Sequence, residues 1–300
     1  MKFGVREICD VVFKAKTSGT LGTMDYVAGQ PILYIESAKT SAMEGAATTV
    51  YATGGKGNSR LIAWEGERTL TFTVEDALLS PIGFAILSGA GLMDATEDKP
   101  IYAHVSAMTH VGAEGALDLI EAGILGDNEV IDIKSPVFVM QMKDGSMIGK
   151  LNATPGDENK SLTITGLEDD SDIFVDFYVV RKSAATELTI DMENFAGYYY
   201  VEASTLFRRQ SNGQDLPAEL IFPNVKVQSN FTFNMASTGD PSTFTFTMDA
   251  MPGYTRFDRS KKVLCAIQIM DDAAAKGATG EDSVKNKADA EELYPLASLI

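Results

Sequence analysis

The residues that could bind a phosphate group lie in one glycine-rich stretch, Gly54-Gly-Lys-Gly-Asn-Ser59. A P-loop ends in Gly-Lys-Ser/Thr and opens a helix, because backbone N–H groups and the helix dipole then hold the phosphates. Here Lys56 is followed by Gly57 and then by a strand-like sequence, and the Rossmann spacing of glycines also fails. We therefore predict a surface loop over residues 51–60 and no nucleotide cofactor.

The residue types that could bind a metal ion are also poorly spaced. His104 and His110 are the chain's two histidines. On a strand they would share a face but lie about 20 Å apart, whereas zinc–nitrogen bonds are about 2.0–2.1 Å long. The acidic run at residues 168–172 lacks the spaced carboxylates, the glycine and the final glutamate of an EF-hand loop. It predicts a solvated turn, and no metal site is expected.

Nucleophilic catalysis finds no support in the motifs. No serine lies in a Gly-x-Ser-x-Gly elbow, and Cys9 and Cys265 lie in apolar settings typical of inert buried thiols. A disulfide between these two cysteines stays open at this stage. Paired carboxylates for glycoside chemistry also stay open, because 42 acidic residues bring some pairs close by chance. We predict a protein that is not an enzyme and has no catalytic residues.

Charge narrows the set of partners. The 300-residue chain has a formal net charge of −17, which disfavours attraction to nucleic acid or to anionic membranes. The charge serves either solubility or the repulsion of a polyanion. No apolar run reaches the roughly 20 residues that span a bilayer, and residues 1–7 lack a secretory signal. We therefore expect synthesis in the cytoplasm.

Two short stretches near the C-terminus repeat one alternation of large apolar and small polar residues, Phe231-Thr-Phe-Asn-Met235 and Phe244-Thr-Phe-Thr-Met248. A period of two places alternate side chains on opposite faces of a strand, and the Gly- and Pro-containing link between the stretches predicts a hairpin. The side chains expected to pack inward are Phe231, Phe233, Met235, Phe244, Phe246 and Met248. Those expected to face outward are Thr232, Asn234, Thr245 and Thr247.

Other segments predict strands and one short helix. Residues 10–16, 31–36, 61–66 and 69–75 are β-like, as are several runs after residue 137. Ser80 and Pro81 form a good N-cap and first turn, and Gly89 or Gly91 would end the helix. Because this helix is apolar nearly all round, it should be buried or packed on a neighbouring subunit. A second, modest helix is predicted over residues 114–122.

Residues 195–209, 217–230 and 231–248, taken with residues 64–91, resemble the major tail tube proteins of tailed bacteriophages. The shared order is a threonine-rich strand, a short apolar helix, an inserted β-domain, a Pro-Asn-Val-Lys segment at residues 223–226 and a closing hairpin. The resemblance implies a mainly β fold, a tail-tube-type β-sandwich or barrel with one short buried helix, formed by residues 1–100 and 187–270. Residues 101–186 would be an inserted immunoglobulin-like β-domain, and residues 271–300 an exposed or docking C-terminal tail.

The resemblance also implies a structural virion protein that assembles with itself into stacked homohexameric rings. Viral DNA would pass through the lumen without specific binding, and the outward-facing Thr232, Asn234, Thr245 and Thr247 would face the lumen or a neighbouring subunit. Sheath, baseplate and tail terminator proteins are the further partners it suggests, with no membrane contact. Two alternatives stay open: another virion protein, such as a capsid decoration protein or tail terminator, and a carbohydrate-binding or hydrolytic β-sandwich.

Overall fold

The computed structural model of the chain describes residues 2–112, 114–126, 129–167, 171–232, 235, 237–238 and 243–270. The predicted mainly β fold is confirmed. The described residues form twenty β-strands, one α-helix and a short 3-10 turn at Asp157–Asn159. The predicted C-terminal tail at residues 271–300 lies outside the described residues.

The strands are numbered along the chain. They are β1 (Phe3–Val5), β2 (Asp10–Ala15), β3 (Gly19–Leu21), β4 (Met24–Tyr26), β5 (Pro31–Ile35), β6 (Ala38–Gly54), β7 (Ser59–Asp76), β8 (Gly91–Asp94), β9 (Ile101–Val111), β10 (Ala116–Asp118), β11 (Val130–Ile131), β12 (Phe138–Lys143), β13 (Ser146–Pro155), β14 (Ser161–Thr165), β15 (Ser171–Arg181), β16 (Thr186–Thr189), β17 (Tyr198–Arg209), β18 (Asp215–Val227), β19 (Phe244–Ala250) and β20 (Ala266–Ile269). The helix, α1, spans Pro81–Ser88.

The chain folds into two compact units. The first comprises the described residues of Met1–Thr20, Asp25–Ala90 and Met192–Ile300, and the second comprises those of Leu21–Met24 and Gly91–Asp191. The boundaries predicted from the sequence are 1–100 with 187–270 for the main domain and 101–186 for the insertion. No helix among the described residues is both long and apolar enough to cross a membrane.

The first unit is built on a nine-stranded sheet in the order β5-β2-β17-β18-β19-β7-β6, with β1 also on β17 and β20 also on β18. Strands such as β2 and β19 alternate buried and less buried residues, so one face of each carries the core. Phenylalanine rings dominate that core: Phe72 stacks on Phe222 with centroids 4.8 Å apart, and Phe13 lies 5.8 Å from Phe246. Large apolar side chains at every second position explain why these segments became strands of this sheet.

Helix α1 forms where the sequence predicted it. The Ser80 hydroxyl accepts a hydrogen bond from the Gly83 N–H at 2.9 Å, and Pro81 occupies the first turn. Gly89 ends the helix in the left-handed conformation, with φ at +76°. Residues 83–88 are buried. The helix therefore packs into the first unit, as its apolar sequence requires.

The second unit has its own sheet and core. Six strands of its seven-stranded sheet follow the order β10-β14-β13-β12-β15-β11, and the seventh strand, β9, pairs with β15 at every position from Ile101 to Val111. Its buried core includes Val139, Ile173 and Phe177. The predicted helix over residues 114–122 is wrong. Strand β10 occupies part of it, and the Asp118 carboxylate accepts hydrogen bonds from the N–H groups of two following residues, which favours a turn.

Candidate assembly interface

Strands β6 and β7 form a hairpin that extends well beyond the sheet. They pair from Ala38 and Asp76 at the base to Gly54 and Ser59 at the tip. Strand β19 supports β7 only over residues 71–76. In the part of the chain that the structure describes, no third strand pairs with residues 45–54 or 59–70. We call these two segments, with the turn at 55–58, the projecting ribbon.

The projecting ribbon displays large apolar side chains to solvent. Val50 pairs with Trp64 across the ribbon, and Ile62 lies two residues along the same strand face. Their exposed fractions are 63%, 54% and 55%. Trp64 is the chain's single tryptophan. A two-stranded hairpin is marginally stable in water by itself, and a clustered exposed apolar face marks a contact surface. The ribbon therefore has the chemistry of a protein–protein interface.

The ribbon also has an open strand edge. Strand β6 is the terminal strand of the nine-stranded sheet, and among the described residues its outer edge pairs with no other strand. It is 17 residues long, so it offers a long row of backbone donors and acceptors. Such an edge is a template for pairing with another chain unless it is covered. Edge and apolar face together suit the association of one copy with another.

The structure buries part of the predicted hairpin core. Phe244, Phe246 and Met248 all lie on β19 and are buried. Thr245 on the same strand is exposed and Thr247 is half-buried. The strands that pair with β19 are β18 and β7, however, and not the described residues 231, 232 and 235 of the other stretch.

The first half of the predicted hairpin differs from expectation. Phe231 and Thr232 are not in a strand, and the Phe231 ring packs edge-on against Phe84 of α1 at 4.9 Å. Met235 is 89% exposed instead of packing inward. The physical reason is that β7 already pairs with β19, while the apolar helix needs the cover that Phe231 provides. Phe233 and Asn234 lie outside the described residues.

The residues considered for chemistry are dispersed. His104 and His110 lie on β9, and each pairs with an aspartate of β15, at 2.9 Å to Asp176 and 2.9 Å to Asp172 respectively. Among the described residues no group of three His, Cys, Asp or Glu side chains is placed to hold a metal ion.

The two cysteines are free thiols, so the open disulfide question is answered in the negative for this structure. Burial raises the pKa of both thiols, that of Cys265 to about 11. Both are therefore poor nucleophiles at neutral pH. Of the acidic run, residues 168–170 lie outside the described residues, and Ser171 and Asp172 begin β15.

Sequence reasoning missed the ribbon. It expected a loop over residues 51–60, whereas residues 51–54 belong to β6, 55–58 form the turn and 59–60 begin β7. A strand was predicted where apolar side chains alternate along one buried face. The ribbon has no buried face, because both of its faces are exposed, so this pattern was absent from its sequence. One usable signal was present: a Gly-Gly-Lys-Gly-Asn turn between two Thr-, Ala- and aromatic-containing segments is typical of a hairpin.

Comparison with known proteins places the chain in a family. No curated protein matches the chain. The family model described as the YomU/Tube protein family matches residues 16–260, a span that includes the projecting ribbon, helix α1, the whole sequence of the second unit and most of that of the first. This agrees with the resemblance read from the sequence, and the role it carries is that of a structural component of the virion tail. The chain belongs to the YomU/Tube family of phage tail tube proteins.

Proposed function

We propose that copies of this chain assemble into hexameric rings and that the rings stack into a tail tube, the conduit for viral DNA at ejection. The observation that carries the proposal is the projecting ribbon, with its exposed Val50, Ile62 and Trp64 and the open edge of β6. Covering such an edge with a strand of a neighbouring copy is how closed barrels remove it. The open ends of the stack would be where baseplate and terminator proteins, and a sheath along its side, attach.

The net charge supports passage of DNA without specific binding. Six copies at −17 each carry about −100 per ring. Any share of that charge on the lumen wall repels phosphates, so that DNA slides without being held. We propose a lumen of net negative potential. A ring whose inner wall is net positive would contradict this part of the proposal.

Negative-stain microscopy of the purified chain tests the assembly. We expect stacked rings with a central channel. Single rings that never stack would favour a terminator role, and monodisperse monomers at high concentration would contradict the proposal. No catalytic activity is proposed.

A matched pair of variants tests the ribbon. Ile62→Thr should abolish or strongly reduce assembly while leaving the fold of the monomer unchanged, because Ile62 is exposed and lies outside the buried core of the monomer. The control is Ile133→Thr, the same change at a position of the second unit with 65% exposure against 55% for Ile62. It should assemble as the wild type does. If both variants assemble equally well, the ribbon is not part of the interface between copies.

A further inference from the structure

The tip of the projecting ribbon is cationic in a strongly acidic chain. From residue 45 to residue 64 the sequence contains Lys56 and Arg60 and no Asp or Glu, although the whole chain has 42 acidic and 25 basic residues. Lys56 is exposed in the turn, and the Arg60 guanidinium lies over the Tyr51 ring at 4.1 Å. The tip therefore presents positive charge next to aromatic and aliphatic surface.

A cleft of complementary character lies at the base of the same hairpin. It has a volume of about 180 Å³, and Tyr34, Glu36, Leu78 and Phe246 are among the residues that line it. Tyr34 and Leu78 are largely exposed. That volume is below the 300–1,000 Å³ of typical small-molecule sites, and it suits one large side chain. The cleft is thus a shallow socket with a mixed polar and apolar lining.

The rim of this socket is negatively charged. Glu36 is exposed, and Asp10 lies close enough to Tyr34 that its charge raises the pKa of the tyrosine, with burial and Glu36 adding to the effect. The Asp76 carboxylate in the socket wall is already occupied, because it accepts hydrogen bonds from the Ser37 hydroxyl at 2.5 Å and the Leu78 N–H at 3.2 Å. Glu36 is therefore the carboxylate available to a partner, and Asp10, which also accepts a hydrogen bond from the Tyr34 side chain, adds negative charge beside it.

Tip and socket of one copy cannot meet. The 17 residues of β6, at about 3.3 Å each, place the tip about 50 Å from the base of the hairpin. A contact between them must join two copies. It uses a different patch on each copy, so it is heterologous, and a heterologous contact that does not close on itself continues into an open stack.

We propose that the cationic ribbon tip of one copy, Lys56 and Arg60, docks into the acidic socket around Tyr34 and Glu36 at the hairpin base of a copy in the next ring. This inference rests on the proposed tail tube function and names the contact that joins one ring to the next. Charge complementarity selects the partner, because chains of net charge −17 otherwise repel one another.

Charge reversal tests the contact. Lys56→Glu/Arg60→Glu should still form rings, but tubes should require a protein concentration higher by about tenfold or more. Asp10→Asn/Glu36→Lys should show the same defect. A mixture of the two double variants should restore tubes, because the reversed tip of one variant then meets the reversed socket of the other, and the native tip meets the native socket, so that both contacts join opposite charges. The control Lys134→Glu/Lys143→Glu makes the same change in net charge at exposed lysines of the second unit and should leave tubes intact.

The possible failures are distinguishable. If the wild type forms neither rings nor tubes, the tail tube proposal fails, and this contact fails with it. If the wild type forms tubes and Lys56→Glu/Arg60→Glu forms them equally well, only the contact is overturned. If a tip variant forms normal tubes but retains duplex DNA differently, the tip contacts DNA instead of the socket. That result would also overturn the proposed contact. If each variant has the same thermal unfolding temperature as the wild type, its defect lies in assembly and not in folding.

Discussion

Glu219 carries a partly buried charge on the central strand β18. Glu219 pairs with Ser204 of β17, and Glu202 lies on β17 two residues before Ser204. Lys14 forms an ion pair with Glu202. Burial raises the pKa of Glu219, the charge of Glu202 raises it further, and Lys14 partly offsets both. The ionised form of Glu219 therefore lowers the stability of the folded protein.

We predict that Glu219→Gln stabilises the protein at pH 7. A raised folded-state pKa means that the folded chain holds the proton more tightly than the unfolded chain, so stability falls as the pH rises from the unfolded to the folded pKa. The cost is fully present at neutral pH and absent below about pH 4, near the ordinary pKa of glutamate. Denaturant unfolding of variant and wild type at several pH values measures it. Exposed Glu67→Gln is the control, and a Glu219→Gln variant less stable than wild type at pH 7 would contradict the assignment.

At the scale of elements, helix α1 is the segment whose ends are most tightly specified. The Ser80 cap begins it, and Gly89 ends it with positive φ. Space is also short at Gly89: a Cβ there would lie 2.3 Å from the carbonyl carbon of Phe195. Backbone conformation and close approach both require glycine.

Gly89→Ala should therefore destabilise the first unit strongly, whereas Gly55→Ala should cost only the strain of its positive φ. Gly55 has φ at +80° and nothing within 4 Å of the position of its Cβ. The comparison separates steric clash from backbone strain, and the expected costs are about 1 kcal/mol for Gly55 and clearly more for Gly89. Thermal unfolding measures both. Equal losses would mean that the Phe195 backbone shifts freely.

At the scale of the whole molecule, the chain contains two compact units with separate cores. Phe246 and Phe13 belong to the first core, and Phe177 with its neighbours belongs to the second. Each unit has the size of an ordinary domain, so each can unfold cooperatively by itself.

We predict two transitions by calorimetry. Phe246→Ala should lower the unfolding temperature of one transition and Phe177→Ala that of the other. Each substitution should reduce the free energy of unfolding of its unit by about 3–5 kcal/mol, since both side chains are fully buried. Exposed Phe257→Ala should move neither. A single transition that both variants lower would mean that the two cores unfold together.

Much of the fold could be predicted from local patterns. Strands such as β2, β5 and the inner half of β7 followed from alternation, and α1 followed from its cap residues and closing glycine. The helix expected at residues 114–122 failed because a short apolar run carries no reliable period, and the Asp118 turn decided the local structure.

The sequence by itself determined the mainly β class, the capped helix, the acidic charge and the family resemblance, because each depends on composition or on neighbours a few residues apart. Only the tertiary structure decided which strands pair: β19 joined β18 and β7, and Phe231 covered the helix instead of completing a hairpin. It also revealed the projecting ribbon, whose side chains face water on both sides. Alternation marks a strand only where one face is buried, and the choice of partner is made by segments distant in the chain.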